Sequence, residues 1–205
     1  MPKTWLKMHR RDYYYQKAKE EKYRSRAAYK LLQVIRKYHF MKPGDVVVDL
    51  GSAPGGWLQV ASKTVGEQGI VLGIDVKQIE PLAESNVCAI VGDITWPEII
   101  SQVKEILSRE AVVVTSDVSQ SLSGVWELDH ARQIDLARRS LEIALAVLKS
   151  GGNFFVKTFQ GDASEEFIKD VRRRFGRVEI VKPEASRARS AEIYVLGLRL
   201  KATPT

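Results

Sequence analysis

From Asp45 onward the chain alternates short apolar runs with longer segments whose apolar residues recur at helical spacing. That order belongs to an α/β fold, in which helices cover a mainly parallel sheet. The runs predict strands at Val46–Leu50, Ile70–Asp75, Val87–Val91, Ala111–Ser116, Asn153–Val156, Val178–Val181 and Ile193–Leu200. Helices are expected after most of them. The clearest spans Leu128–Leu148, where Ile134, Leu141, Leu145 and Leu148 share a face and Ser150-Gly151-Gly152 closes the pattern. An earlier helix is expected to start near Ser25, as N-cap, and to run to about Tyr38 with Ala28, Leu31, Leu32 and Ile35 on one face. No repeat or low-complexity segment interrupts the order. The chain, 1–205, therefore reads as one domain, with a basic, aromatic-rich extension over 1–42 and a core over 43–205.

A length of 205 residues suffices to bury a core without disulfides or metal. The single cysteine, Cys88, lies inside the run Val87–Val91 and is expected to be a reduced, buried thiol with no disulfide partner. No zinc-ligand spacing is present. The N-terminus is dense in charge, and no apolar stretch has the length of a signal peptide or a membrane span, so a cytoplasmic protein with no membrane partner is expected. Lys and Arg number 32 against 25 Asp and Glu, a formal charge of +7, which makes a polyanion a plausible partner.

The distribution of that charge sharpens the picture. Residues 3–42 interleave Lys and Arg with Trp5, Tyr13, Tyr14, Tyr15, Tyr23, Tyr29 and Tyr38. Cations can hold a phosphate backbone while aromatic faces stack on unpaired bases. A solvated amphipathic segment would have the same composition, and both readings stand at this stage. For a second basic stretch, Arg172, Arg173, Arg174 and Arg177, a position near a helix end favoured by the helix dipole is sufficient explanation.

The segment Val46-Val-Val-Asp-Leu-Gly-Ser-Ala-Pro-Gly-Gly-Trp57 is a buried strand ending in an acid, followed by a Gly-rich turn that opens a helix. Such turns let a ligand approach the backbone at the carboxyl edge of a parallel sheet. A dinucleotide site would share this layout, including an acid such as Asp75 at the end of the second strand. Here the spacing is Gly51-x-Ala53-x-x-Gly56, so a central glycine of the pyrophosphate turn is replaced and Pro54 removes an amide donor. Asp49 adds a negative charge beside the loop, which suits a cationic sulfonium and ammonium ligand better than a pyrophosphate. S-adenosylmethionine is the expected cofactor and a nucleotide-dependent oxidoreductase the weaker alternative.

Together with Ser25-Arg-Ala-Ala-Tyr-Lys-Leu31, Ser116-Asp117, Phe154-Phe-Val-Lys-Thr-Phe-Gln-Gly161 and Ser186-Arg-Ala-Arg-Ser-Ala-Glu-Ile-Tyr194, the loop Asp49–Trp57 resembles the FtsJ/RrmJ (RlmE) family of 2'-O-ribose RNA methyltransferases. Five separated motifs in register are far more specific than the loop alone. The resemblance implies a Rossmann-like methyltransferase fold, a mostly parallel seven-stranded sheet with helices on both faces and an antiparallel last strand. It also implies a Lys-Asp-Lys-Glu catalytic tetrad, which falls on Lys30, Asp117, Lys157 and Glu192. Around S-adenosylmethionine it implies Gly55, Trp57, Asp75, Asp93 and Asp117, beside the loop residues Asp49 and Gly51; a core position for Trp57 is the alternative. The implied substrate is large-subunit ribosomal RNA, with a uridine ribose as the expected target and ribosomal RNA or the large subunit as partner of a monomeric enzyme.

The chemistry gives these residues reasons. A ribose 2'-hydroxyl is a poor acid and nucleophile, whereas a sulfonium methyl is already activated, so alignment and removal of one proton are the main tasks. Lys157 at the end of a buried strand is the candidate base; Lys30 nearby would favour its neutral form, while Asp117 and Glu192 would orient the lysines and oppose that effect. Taken singly, each of the four would pass for a surface charge, a turn residue or a snorkelling lysine. One departure stands out. After Ser116-Asp117 the family continues with a small residue, Pro and Asn, whereas this chain reads Val118-Ser-Gln120, so the loop that meets the target nucleotide is expected to follow its own path. A tRNA anticodon-loop methyltransferase and a catalytically silent ribosome-assembly factor remain as alternative functions.

Overall fold

The computed structural model describes residues 13–187 and 190–202. Trp5 and the cations before residue 13 lie outside the described residues, as do residues 188 and 189 of the last motif. Strands β1 (Val46–Leu50), β2 (Ile70–Asp75), β3 (Val87–Val91), β4 (Ala111–Ser116), β5 (Leu148–Phe159), β6 (Phe175–Val181) and β7 (Glu192–Leu200) form one sheet in the order β3-β2-β1-β4-β5-β7-β6. Pairing is parallel from β3 to β5, and β7 runs antiparallel to both β5 and β6. The helices are α1 (Tyr13–Glu20), α2 (Ala28–Tyr38), α3 (Gly56–Val65), α4 (Ile99–Ile106), α5 (Trp126–Val147) and α6 (Asp162–Arg174). This is the Rossmann-like methyltransferase architecture that the motifs imply.

Period-two alternation along the central strands feeds two cores, one on each face. On one face α4, α5 and α6 pack over Val46, Val48, Leu50, Val114, Phe154 and Val156. On the other, α2 and α3 cover Val47, Val71, Val113, Phe155, Tyr194 and Leu196. No helix among the described residues is long and apolar enough to cross a membrane.

Several expectations are refined. Cys88 is exposed rather than buried, because β3 is the outermost strand and an apolar run there lacks the second layer that a central strand enjoys. Helix α2 begins at Ala28 without a side-chain cap; Ser25 instead gives its carbonyl to Ala28 N in a lead-in of three-residue turns. Strand β5 starts at once after α5, and a register shift between the Ala111–Leu148 and Val113–Asn153 pairs separates its irregular start from the regular portion that the sequence marks.

The N-terminal segment is partly core. Ala28, Leu31, Val34, Ile35, Phe40 and Met41 are buried under the sheet, and Tyr14, Tyr23 and Tyr29 pack edge to face or tilted against one another. Of the second basic stretch, Arg172, Arg173 and Arg174 occupy the last turn of α6, where Lys201 Nζ also donates to two main-chain carbonyls, so the dipole explanation holds.

Candidate active site

The order of strands reverses between β1 and β4, the place where α/β sheets hold ligands beyond their carboxyl ends. A cleft of about 370 Å³ opens there, lined by Gly51 and Ala53 after β1, Asp75 and Lys77 after β2, Gly92 and Asp93 after β3, and Asp117 to Gln120 after β4. Gly51, with φ +75°, turns the chain where a side chain would stand 2.8 Å from Val118. Glycine alone fits both demands.

Short-range bonds fix the acids of the cleft. Asp75 accepts from Ala53 N and Lys77 N, each at 2.9 Å. Asp93 Oδ1 accepts from Thr95 N and Thr95 Oγ1 at 2.8 Å. Asp117 N donates to Leu50 O at 3.0 Å, which sets its carboxylate beside the glycine turn. Three carboxylates and one lysine thus line the cleft, a donor set that would repel a pyrophosphate and attract a sulfonium and an ammonium. The residues present fit S-adenosylmethionine.

Three of the loop residues expected around the ligand stand outside the cleft lining. Asp49 lies buried beneath the loop, its Oδ1 accepting from Thr115 Oγ1 at 2.6 Å while Oδ2 has no partner. Burial pushes its carboxyl up to about 7, partly offset by bonds from Thr115 and Ser52 and reinforced by the charges of Asp117 and Asp75. Near neutrality Asp49 is therefore only partly charged. The Trp57 side chain belongs to the core, as in the alternative reading: it is 3% exposed, donates to Ala27 O at 2.7 Å and stacks on Phe155. Gly55 sits at the start of α3 under Arg24, whose guanidinium donates to the carbonyls of Pro54, Glu80 and Pro81 and clamps the loop.

The four tetrad positions come together across the junction of β4, β5, β7 and α2. Lys157 and Tyr194 are register partners across β5 and β7, and Glu192 lies two residues before Tyr194 on the same face. Helix α2 lowers Lys30 onto them: its Nζ stands 2.6 Å from Glu192 Oε1 and donates to Tyr194 Oη at 3.1 Å. Tyr194 Oη donates to Asp117 Oδ1 at 2.8 Å. Lys157 Nζ stands 3.0 Å from that same oxygen and donates to Asp117 O at 2.7 Å. The result is a continuous chain, Glu192, Lys30, Tyr194, Asp117, Lys157, whose lysines are nearly buried.

Burial would raise the Asp117 carboxyl, but Lys157 and Lys30, with hydrogen bonds from Lys157 and Tyr194, outweigh it and hold the group below the usual carboxylate range. The Tyr194 phenol is driven well above its ordinary value by burial and by the neighbouring carboxylates, so it stays a protonated donor. Tyr194 has no place in the expected tetrad, although the last motif contains it; its bridging role follows only from the pairing of β5 with β7. Gln133 is a second such residue, donating to Val118 O at 3.1 Å and, more weakly, to Lys157 O at 3.5 Å.

Gln120, the departure from the family pattern, has a structural role. Its Nε2 donates to Asp129 O at 3.0 Å, and Asp129 in turn accepts from Ser123 N, Ser123 Oγ and Gly124 N. The loop after β4 is thereby tied to the first turn of α5 by side chains instead of by a rigid proline.

A family model described as FtsJ-like methyltransferase matches residues 23–200. The chain is 46% identical over 200 residues to the Ribosomal RNA large subunit methyltransferase E of Methanocaldococcus jannaschii, covering 96% of this chain and 82% of that one. To the protein of the same name from Methanothrix thermoacetophila it is 50% identical over 194 residues, covering 95% and 74%. A solved Plasmodium falciparum structure described as a ribosomal RNA methyltransferase superposes with a TM-score of 0.79 at 28% identity, over 88% of this chain and 100% of that one. With a match that runs from the segment before α2 to the end of β7, this chain belongs to the FtsJ-like methyltransferase family.

Proposed function

We propose that this protein transfers the methyl group of S-adenosylmethionine to a ribose 2'-hydroxyl of large-subunit ribosomal RNA, with a uridine as the expected nucleotide and the cytoplasm as the place of action. The observation that carries the reading is Asp117, which lines the acidic cleft and also anchors Lys157 at 3.0 Å. One residue joins the donor site to a buried cluster suited to proton removal.

When bound, S-adenosylmethionine supplies a methyl activated by its sulfonium leaving group. Asp75 would hold the ligand's ribose hydroxyls and Asp93 its adenine amino group, and any contact from Gly55 or Trp57 would come from the main chain, since the indole is committed to the core. In its neutral form Lys157 Nζ takes the proton of the 2'-hydroxyl, and the ammonium so formed is held by the carboxylate and carbonyl of Asp117. Lys30, braced by Glu192 and Tyr194, orients the ribose oxygen, so that alignment is fixed before the reaction begins. The two relatives named as large-subunit methyltransferases support the substrate assignment.

The test is transfer of tritiated methyl from S-adenosylmethionine to large ribosomal subunits, to their naked RNA and to bulk tRNA, all lacking 2'-O-methyl groups. Label in ribosomal RNA is the expected result. Label confined to tRNA overturns the substrate, and no label in any RNA overturns the enzyme reading in favour of an assembly factor.

A further inference from the structure

Phe159 ends β5 two residues beyond Lys157, about 7 Å further along the same strand. Trp126 opens α5, and its ring lies parallel to Phe159 at 6.0 Å and 18° and to His130 at 5.5 Å and 12°. His130 is fixed in turn: its Nε2 is 3.2 Å from Phe159 O, and its ring rests against Gly161, where a Cβ would come within 2.7 Å of it. Only glycine admits that approach. The three rings therefore form a flat, preset stack at the carboxyl end of β5, the strand that carries Lys157.

Core packing does not account for this stack. Trp126 remains 47% exposed, and Leu122, Val125 and Leu128 around it are exposed as well. An indole held by two aromatic neighbours with its own surface open is arranged to receive another planar group. The loop that carries Leu122 and Val125 is pinned to α5 by Asp129, so the open surface is built rather than incidental.

We propose that Trp126, backed by His130 and Phe159, is a stacking platform for an unpaired base of the RNA substrate at or next to the nucleotide whose ribose reacts. The inference rests on the RNA methyltransferase reading and deepens it: a paired base inside a helix cannot lie on the platform, so the substrate is engaged with its bases splayed out. Continuity with Lys157 along β5 favours a base over a protein partner, because a ribose presented to Lys157 brings its own base and its neighbours' to this edge. Stacking on an aromatic face serves any base, so Trp126 contributes affinity and register rather than sequence choice.

The experiment measures, by fluorescence anisotropy, binding of a short oligouridylate and of an abasic strand of equal length to the wild type, Trp126→Ala and Trp126→Phe, beside methyl transfer to large-subunit ribosomal RNA. Trp126→Ala is expected to weaken oligouridylate binding at least about fivefold, to leave the abasic strand unaffected and to raise the KM for RNA but not for S-adenosylmethionine; Trp126→Phe is expected to restore most of the loss. Equal oligouridylate affinity for wild type and Trp126→Ala, or an equal loss on the abasic strand, overturns the platform even when the wild type methylates RNA. Absence of methyl transfer by the wild type removes the enzyme reading instead, while the anisotropy comparison still decides whether a base stacks on Trp126.

Discussion

The acidic cleft and the lysine-containing chain meet at Asp117 but are built in different ways. In the cleft, Asp75 and Asp93 accept from amides two residues further on, so each carboxylate is held by its own turn, Asp75 with one further bond from Ala53 N in the neighbouring glycine loop. In the chain, Lys30 meets Tyr194 across 164 positions, and Tyr194 meets Asp117 across 77. The cleft is therefore a property of the strand ends, whereas the tetrad depends on the antiparallel pairing of β7 and on the seating of α2. Damage to a cleft acid should affect ligand affinity and leave the fold intact; damage to the chain should affect turnover and, for its buried members, stability.

The largest expected effect comes from breaking the chain at its reactive end. Lys157→Met should lower methyl transfer roughly a hundred- to ten-thousandfold, while the thermal shift produced by S-adenosylmethionine persists; near-normal turnover would remove the base role. Tyr194→Phe sharpens the comparison, since it deletes only the bridge. We expect turnover to fall roughly tenfold or more and unfolding free energy to drop by about 1–3 kcal/mol, measured by denaturant titration. On the cleft side, Asp75→Ala should raise the Kd for S-adenosylmethionine roughly tenfold, read by calorimetry, with kcat at saturating ligand much less affected.

The smallest effect is a pH dependence set by Asp49. Its folded value of about 7 lies above the ordinary carboxylate value of about 3.9, so between the two the folded state holds a proton that the unfolded state has lost. Its contribution to stability is present at low pH and declines as pH rises through that window. Ligand binding should respond in the opposite sense: as the carboxylate forms through about pH 7, affinity for a cationic ligand should rise by a few-fold, and Asp49→Asn should flatten the curve.

What the sequence reveals follows the same division. Strand β1 with its turn is legible because five apolar or acidic residues and three glycines act locally, and Asp75 and Asp93 are legible because one ends a strand and the other comes two residues after one. Lys30 and Glu192 were recognisable only through their motifs, since nothing near either residue in sequence dictates that they meet. The role of Tyr194 is not legible in the sequence, because it arises from sitting opposite Lys157 in the β5–β7 register. The exposure of Cys88 is hidden in the sequence for a related reason: an apolar five-residue strand reads alike at the centre or the edge, and only the pairing order decides which. For Trp57, the family resemblance implies a place at the ligand, whereas the hydrogen bond to Ala27 O and the stack on Phe155 hold the indole in the core, the alternative its residue type allows. Gln120 broke the expected loop pattern, yet it holds the loop through a side-chain bond that spacing alone does not announce.

Everything proposed for the reaction turns on whether the chain ending at Lys157 removes a proton from a ribose hydroxyl. The most direct measurement is alkaline hydrolysis and mapping of large-subunit ribosomal RNA after incubation with S-adenosylmethionine and either the wild type or Lys157→Ala. An alkali-resistant linkage, which marks a 2'-O-methyl ribose, is expected at a defined nucleotide with the wild type and is expected to be lost with the variant. Methyl label found on a base, or an alkali-resistant linkage formed equally well by the variant, would contradict this expectation.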